Sequence, residues 1–212
     1  PDMAVASLGL LSANMSPAPH VAYFNNGGNG LDPTPGWLSP PGNAFSCTGG
    51  DPDGDGDIDL LFAEGHWRDG GLKKSNMFVN NGGVFDTIPG WETADLHYGC
   101  EAVFGDVDRD GDLDLAMGWG DSTGIAIFMN HDGTRETTPS LTAATVSGGL
   151  QMDFGDMDGD GFLDLVVADL CRGVFVFKNT AGVLDPAPAW AFRTSGNPAA
   201  VIWADVDGDG DP

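Results

Sequence analysis

The stretch DPDGDGDID, residues 51–59, places five aspartates at alternating positions of a nine-residue segment. Like charges a few ångströms apart repel one another and destabilise a compact loop. The chain nevertheless repeats the pattern as DVDRDGDLD at 106–114, DMDGDGFLD at 156–164 and DVDGDGDP at 205–212. A folded protein that keeps such loops needs a partner that offsets the repulsion, and a bound cation would do so.

The Asp-rich loops mark an internal repeat. Their first aspartates are separated by 55, 50 and 49 residues, and each complete loop leads into an apolar run that is followed by a second run ending in Asn. An element with Pro or Trp comes next, and a further run leads back to the next loop. Four short strands per unit at a regular spacing predict an all-β fold, a β-propeller built of about four-stranded blades.

Composition agrees with this fold class. The 212 residues include 33 Gly and 14 Pro, which are incompatible with many long helices, and 41% of the residues are hydrophobic, which is enough for a core. We interpret residues 1–212 as one propeller domain or part of one, with repeats at approximately 1–58, 59–113, 114–163 and 164–212.

The formal net charge of −24 excludes some partners. So acidic a surface repels nucleic acid and anionic lipid, and no apolar run approaches the ~18 residues of a membrane span. We therefore expect neither nucleic-acid binding nor membrane insertion.

The loop pattern D-x-D-x-D-G-x-x-D is typical of a calcium site. Carboxylates on alternate residues converge, a glycine at the sixth position permits a sharp turn, the seventh residue offers its backbone carbonyl and the ninth aspartate closes the cage. Oxygen ligands of this number favour Ca²⁺ over Mg²⁺, at about one ion per loop. An EF-hand is rejected because the flanking segments are strands and the twelfth position lacks Glu.

The chain resembles FG-GAP/VCBS-type repeats, the calcium-binding propeller blades also found in integrin α-chain head domains. Phe104-Gly105 and Phe154-Gly155 before their loops, together with the turn Asn81-Gly82-Gly83, carry the resemblance. It implies that each loop joins the first, innermost strand of a blade to the second, and that the protein is extracellular or at the cell surface.

The loop pattern and the resemblance together predict which residues bind metal. They are Asp51, Asp53, Asp55, Asp57 and Asp59 in the first loop; Asp106, Asp108, Asp110, Asp112 and Asp114 in the second; Asp156, Asp158, Asp160, Phe162 and Asp164 in the third; and Asp205, Asp207, Asp209 and Asp211 in the fourth, with Asp2.

Two loops depart from the pattern. The first has Gly49-Gly50 where the second and third have Phe-Gly, and it contains Pro52, so its inner strand is expected to end early. The fourth loop has no ninth ligand unless another chain or Asp2 supplies one.

Aromatic and polar residues near the blade edges are candidates for ligand binding. His66 and Trp67 follow one second strand, and Trp119 and Asp121 stand near the matching place in the next repeat. An exposed group of this kind can stack on a sugar ring. The alternative is that the tryptophans pack between blades. His97, before an inner strand, is a candidate for the central channel or part of an ordinary loop.

No catalytic motif accompanies these features. There is no Gly-x-Ser-x-Gly, His-Glu-x-x-His or phosphate-binding glycine loop, and the loop carboxylates are committed to metal. We therefore expect a non-enzymatic, calcium-stabilised module for extracellular binding or adhesion, with a glycan or a cell-surface protein as its partner. The alternative is a scaffold domain of a larger secreted carbohydrate-active enzyme.

Closure of the propeller ring leaves several alternatives open. A strand expected at 198–204 can complete the first blade of its own chain or of a second copy, or the ring can contain further sequence. Bulky inner-strand residues, Phe104, Phe154 and Trp203, favour a larger ring over self-closure, either as a homo-oligomer or with additional blades.

The three cysteines leave two alternatives open. Either Cys47 and Cys100 form one disulfide, or all three cysteines are buried thiols.

Overall fold

The computed structural model describes residues 2–6, 17–25, 27, 30–65, 71–146, 150–193 and 196–208. Four antiparallel sheets follow one another along the chain, and we call them blades 1 to 4. Within the described residues there is no helix.

Blade 1 contains three strands, and blade 2 contains four. Blade 1 consists of β1 (Met3–Val5), β2 (Ala18–Tyr23) and β3 (Trp37–Gly42), in that order. Blade 2 consists of β4 (Ala44–Gly50), β5 (Asp59–Glu64), β6 (Asn76–Phe78) and β7 (Trp91–Glu92), also in chain order.

Blades 3 and 4 have four strands each and a small hairpin. Blade 3 consists of β8 (Gly99–Gly105), β9 (Asp114–Trp119), β10 (Gly124–Phe128) and, after the hairpin β11 (Asn130–His131) and β12 (Thr134–Arg135), β13 (Leu141–Ala143). Blade 4 consists of β14 (Leu150–Gly155), β15 (Asp164–Asp169), β16 (Gly173–Phe177) and, after the hairpin β17 (Asn179–Thr180) and β18 (Val183–Leu184), β19 (Trp190–Phe192).

The blades pack face to face, as in a propeller. The second strands β5, β9 and β15 are buried along their whole length, because both faces of each sheet are covered. This is why their sequences are apolar without alternation. The inner strand β8 contacts both β4 and β14, so the inner strands of successive blades lie side by side.

Three hydrophobic clusters fill the spaces between blades. Trp37 of blade 1 packs on Phe62 and Phe78 of blade 2, and Trp91 of blade 2 packs edge-on against Phe128 of blade 3. The cluster between blades 3 and 4 is built from aliphatic and Phe side chains. Each blade is thus stabilised by its neighbours rather than by a core of its own.

A glycine and an aromatic residue recur where inner strands meet. A Cβ added to Gly50 would lie 2.6 Å from the Phe104 ring of the next blade, and one on Gly105 would lie 2.6 Å from the Phe154 ring. Only glycine permits this approach. The Phe-Gly pairs that carry the family resemblance are therefore contacts between blades.

Several expectations are corrected by the fold. The inner strand before the first loop does not end early, since β4 reaches Gly50 just as β8 reaches Gly105. Residues 197–205 form no strand, because no described strand pairs with them, and the strand expected at 198–204 is absent. The hairpins β11–β12 and β17–β18 were not predicted because each strand is only two residues long.

The cysteines form no disulfide. The prediction of one Cys47–Cys100 bridge is wrong, and so is that of three buried thiols. Cys100 is buried, Cys47 is half-buried and Cys171 is exposed.

Candidate metal centres

Each complete Asp-rich loop lies between the first and second strand of a blade and brings carboxylates together. In the first loop, oxygens of Asp51, Asp53 and Asp55 lie within 4.8 Å of one another. In the second and third loops the first, third and ninth residues converge in the same way; these are Asp106, Asp108 and Asp114, and Asp156, Asp158 and Asp164.

In each complete loop, a backbone N–H of the turn donates a hydrogen bond to the carboxylate of the first aspartate. The backbone N–H of the sixth residue donates to it: Gly56 to Asp51 at 3.0 Å, and Gly111 to Asp106 at 3.2 Å. The Oδ1 atoms of Asp51 and Asp106 are buried and have no hydrogen-bond partner among the described residues. A buried carboxylate oxygen without a donor is costly, and a cation would satisfy it.

The ninth aspartate is buried and anchored at both oxygens in the second loop. Asp114 accepts a hydrogen bond from Asn130 N at Oδ1 and one from Val107 N at Oδ2, each 2.8 Å. Burial raises the pKa of Asp114 to about 6, although both hydrogen bonds oppose the rise. Asp164 of the third loop receives the equivalent pair of bonds, from Asn179 N and Met157 N.

Pro52 removes one of these bonds from the first loop. It stands where Val107 stands in the second loop, and proline has no N–H to donate. Asp59 Oδ1 accepts from Asn80 N at 2.8 Å, but its buried Oδ2 has no described partner. Burial, followed by the charges of Asp53 and Asp55, raises the pKa of Asp59 to about 6.

The seventh residues direct their side chains away from the converging carboxylates. Asp57 Oδ2 accepts from Gly82 N, and Asp112 Oδ2 accepts from Asp132 N, so both side chains fasten the loop to the turn that follows the third strand. Phe162 occupies this position in the third loop and lies beneath the Arg109 guanidinium, 5.3 Å from the ring centre.

Each loop contains a second residue with positive φ, which the sequence pattern did not predict. The predicted turn glycine at the sixth position has φ of +94°, +100° and +89° in the three complete loops. The fourth position is also left-handed, with φ +72° at Gly54, +72° at Gly159, +79° at Gly208 and +64° at Arg109. Glycine at this position in three loops was the available signal.

The fourth loop is only partly described. Gly208 N donates to Asp205 Oδ1 at 2.6 Å, whereas Asp209 and Asp211 lie outside the described residues. Asp2 accepts a hydrogen bond from Asn25 N at 2.6 Å, which reproduces the contact of the ninth aspartate in the other loops. In the described part of the chain, Asp2 does not converge with Asp205 and Asp207.

Buried asparagines tie the loops of neighbouring blades together. Asn130 Nδ2 donates to Pro52 O of the preceding blade at 2.6 Å, and Asn179 Nδ2 donates to Val107 O at 2.8 Å. Each also donates to the carbonyl of the eighth loop residue of its own blade. The sequence signal was the Asn that ends the second run of every repeat.

Basic side chains sit beside two of the loops. His131 Nδ1 lies 3.2 Å from Asp110 Oδ2, and with Asp108 the two residues form a further converging group. Hydrogen bonding to Asp110 raises the pKa of His131. Lys178 pairs with Asp158 in the third loop, and this contact lowers the pKa of Asp158.

The residues proposed for sugar stacking are placed differently from the expectation. Trp119 is only 2% exposed and packs in the cluster between blades 2 and 3, stacked on His97 with ring centres 3.6 Å apart. The expected exposed platform is therefore wrong for Trp119. Asp121 contacts His97 Nδ1 at 2.8 Å. His66 and Trp67 lie outside the described residues.

Burial raises the pKa of Asp121, but its hydrogen bonds outweigh that effect and hold the pKa below its ordinary value. Side chains around the His97–Trp119 pair line a cleft of about 250 Å³ between blades 2 and 3. It is bordered by His97, Trp119 and Thr123 and by threonines that precede and form β13. The cleft brings threonine hydroxyl groups beside the His97 imidazole, and its Trp119 and Phe128 rings are each only 2% exposed.

These observations define the class: an all-β, propeller-like repeat protein whose blades carry oxygen-rich loops. The family model of the FG-GAP-like repeat matches residues 51–117, 106–167 and 156–212, each match beginning at the first aspartate of a loop. The matches cover more than half of the chain, which belongs to the FG-GAP-like repeat family. No curated protein matches it closely enough to indicate a relative. The described part of the chain contains no helix suited to crossing a membrane.

Proposed function

We propose that this protein is a non-catalytic, calcium-stabilised binding module that acts outside the cell or at its surface and contacts a glycan or a protein. Membership in the FG-GAP-like family supports a binding role. Calcium binding is supported by the converging carboxylate oxygens that recur in three loops. In these loops, buried Oδ atoms of Asp51, Asp59 and Asp106 have no described hydrogen-bond donor.

The donor set fits a hard divalent cation. All candidate ligands are oxygens, and they come from a short loop with two left-handed turns, which suits the flexible coordination of Ca²⁺ better than the strict octahedron of Mg²⁺. The first, third, fifth and ninth aspartates would bind through carboxylates. The seventh residue would bind through its carbonyl, since the Asp57 and Asp112 side chains are engaged elsewhere.

Calcium removal is expected to lower the melting temperature strongly. Without the ion, aspartates face one another again, and an ion bound only by the folded state stabilises that state by mass action. The measurement is a melting curve with chelator, with excess Ca²⁺ and with Mg²⁺, which should restore less stability. Asp106→Asn should reduce the calcium effect, whereas Asp86→Asn, an exposed aspartate outside the loops, should not. An unchanged curve on chelation would refute the calcium role.

The binding role is tested separately. The cleft between blades 2 and 3 supports a small polar ligand, because a sugar offers hydroxyl groups that can hydrogen-bond to the threonines and to His97. We expect a glycan or a cell-surface protein to bind in a screen with the calcium-loaded chain, and His97→Ala to weaken a ligand that occupies this cleft. Failure of all glycans and cell surfaces to bind would remove the support for this role.

A further inference from the structure

The residue that directly follows the third strand of a blade is charged in blade 4 and apolar in blades 2 and 3. It is Val79 in blade 2, Met129 in blade 3 and Lys178 in blade 4. The three residues are equivalent in the fold, because the backbone carbonyl of each accepts a hydrogen bond from an N–H of the segment that follows the next turn. Blade 4 thus places an ammonium group where blades 2 and 3 place an apolar side chain.

The Lys178 ammonium contacts one of the carboxylates of the third loop. Lys178 Nζ pairs with Asp158 Oδ2. Asp158 is the third residue of this loop, and its carboxylate converges with those of Asp156 and Asp164. Lysine therefore supplies positive charge at the place where the proposed calcium ion would bind.

A second cationic side chain lies against the same loop. The Arg109 guanidinium of the second loop lies 5.3 Å from the centre of the Phe162 ring. A Cβ added to Gly161 would lie 2.5 Å from Arg109 Nη1, so the guanidinium covers the turn of the third loop. This loop also has four aspartates where the first and second have five, since Phe162 stands at the seventh position. With the neighbouring cations counted, the third loop has the smallest negative charge of the three complete loops.

The protein itself supplies hydrogen-bond donors to the first aspartate of the third loop. Asp156 accepts a hydrogen bond at each oxygen, from Asp160 N at 3.1 Å and from Gly161 N at 2.8 Å. In the first and second loops, Oδ1 of the corresponding residues, Asp51 and Asp106, is buried and has no described donor. Because a cation would satisfy such an oxygen, the first two loops gain more from a bound ion than the third does.

We propose that the three complete loops bind calcium unequally and that Lys178 makes the third loop the weakest site, an inference that rests on the calcium role proposed above. An ion that enters the third loop competes with the ammonium for Asp158 and is repelled by it at short range. The first and second loops lack a lysine at this position. They fill at low calcium concentration, whereas the third loop fills only at higher concentration, when the flexible Lys178 side chain leaves Asp158.

Lys178 also acts as a built-in substitute for the ion. While it pairs with Asp158, the ammonium offsets part of the repulsion among the aspartates of the third loop. Blade 4 therefore depends less on calcium than blades 2 and 3. The charge of its loop changes with calcium concentration in a range where the other two loops are already filled.

NMR spectroscopy of the calcium-loaded chain, in chelator buffers of decreasing free calcium, follows the three loops separately. The amides of Gly56, Gly111 and Gly161 each donate to the first aspartate of their own loop, so their signals report whether that loop is filled. We expect the Gly161 signal to change first, at a free calcium concentration at least about tenfold higher than the other two. Coincident changes would overturn the unequal binding and leave the calcium role intact. If none of the three signals responds to calcium removal, the calcium role itself is refuted.

Replacement of the lysine tests its part directly. Lys178→Met gives blade 4 the residue that blade 3 has at this position, and it should lower the calcium Kd of the third loop by at least about threefold. The matched control is Lys74→Met, an exposed lysine that precedes β6 at the end of blade 2 opposite its loop. The control should leave all three values unchanged. An unchanged Kd in Lys178→Met, or an equal change in the control, would overturn the role of Lys178.

The reverse exchange should transfer the property to the second loop. Met129→Lys places an ammonium group beside Asp108, which corresponds to Asp158. The Gly111 signal should then change at a higher free calcium concentration than in the unmodified chain, while the Gly56 signal keeps its value. Melting curves in saturating calcium verify that the variant is folded. A Gly111 signal that changes at its original concentration in the folded variant would contradict the proposal.

Discussion

At the scale of single residues, a buried pair connects blades 1 and 2. His20 is 1% exposed and Glu64 is 2% exposed, with His20 Nε2 and Glu64 Oε1 2.6 Å apart. The second oxygen of Glu64 accepts from Asn43 N at 2.7 Å, and the imidazole stacks on Phe62 with ring centres 4.1 Å apart. The His20 imidazole is thus the described partner of one oxygen of the buried Glu64 carboxylate, and Asn43 N is the partner of the other.

We expect His20→Leu to lower the free energy of unfolding by about 3 kcal/mol, because it leaves a buried carboxylate without its partner. The double variant His20→Leu/Glu64→Gln should lose less, since the amide is neutral and still offers an oxygen to Asn43 N. Calcium-saturated denaturant titrations measure both values. A double variant that is less stable than the single variant would contradict this role of the pair.

At the scale of elements, the loops and the small hairpins stabilise one another. The hairpin β17–β18 turns through Ala181 and Gly182, both with positive φ, as a two-residue hairpin loop requires. Asn179 at its start contacts two loops: its Nδ2 reaches Val107 O and Leu163 O, and its Oδ1 accepts from Gly182 N. One side chain thus fixes the hairpin, its own loop and the loop of the preceding blade.

Asn179→Ala should therefore destabilise the protein by about 2 kcal/mol, since it removes buried hydrogen bonds and leaves carbonyl groups unpaired. The neighbouring exposed Thr180→Ala in the same strand is the control and should change stability by less than about 0.5 kcal/mol. Thermal or denaturant unfolding of the two variants gives the comparison. Equal losses would mean that the contact between blades contributes little.

At the scale of the whole molecule, contacts between blades stabilise the fold, and the charge of the acidic loops opposes it. The blades share hydrophobic clusters, so loss of one interface weakens two sheets. The net charge of −24 is concentrated in loops at the same end of the inner strands. Bound calcium at these loops would neutralise the repulsion locally while it leaves the rest of the surface acidic and soluble.

The sequence alone determined the repeat, the all-β class, the place of the loops and the turn glycine at the sixth loop position, because these follow from local spacing and backbone geometry. Tertiary structure alone decided the contacts between repeats. The pattern did not reveal that Trp119 is buried under His97, that Pro52 deprives Asp59 of a donor, or that Gly50 packs against the Phe104 ring. Some of these contacts join residues more than fifty positions apart and the others depend on burial, and a local pattern contains no information on either.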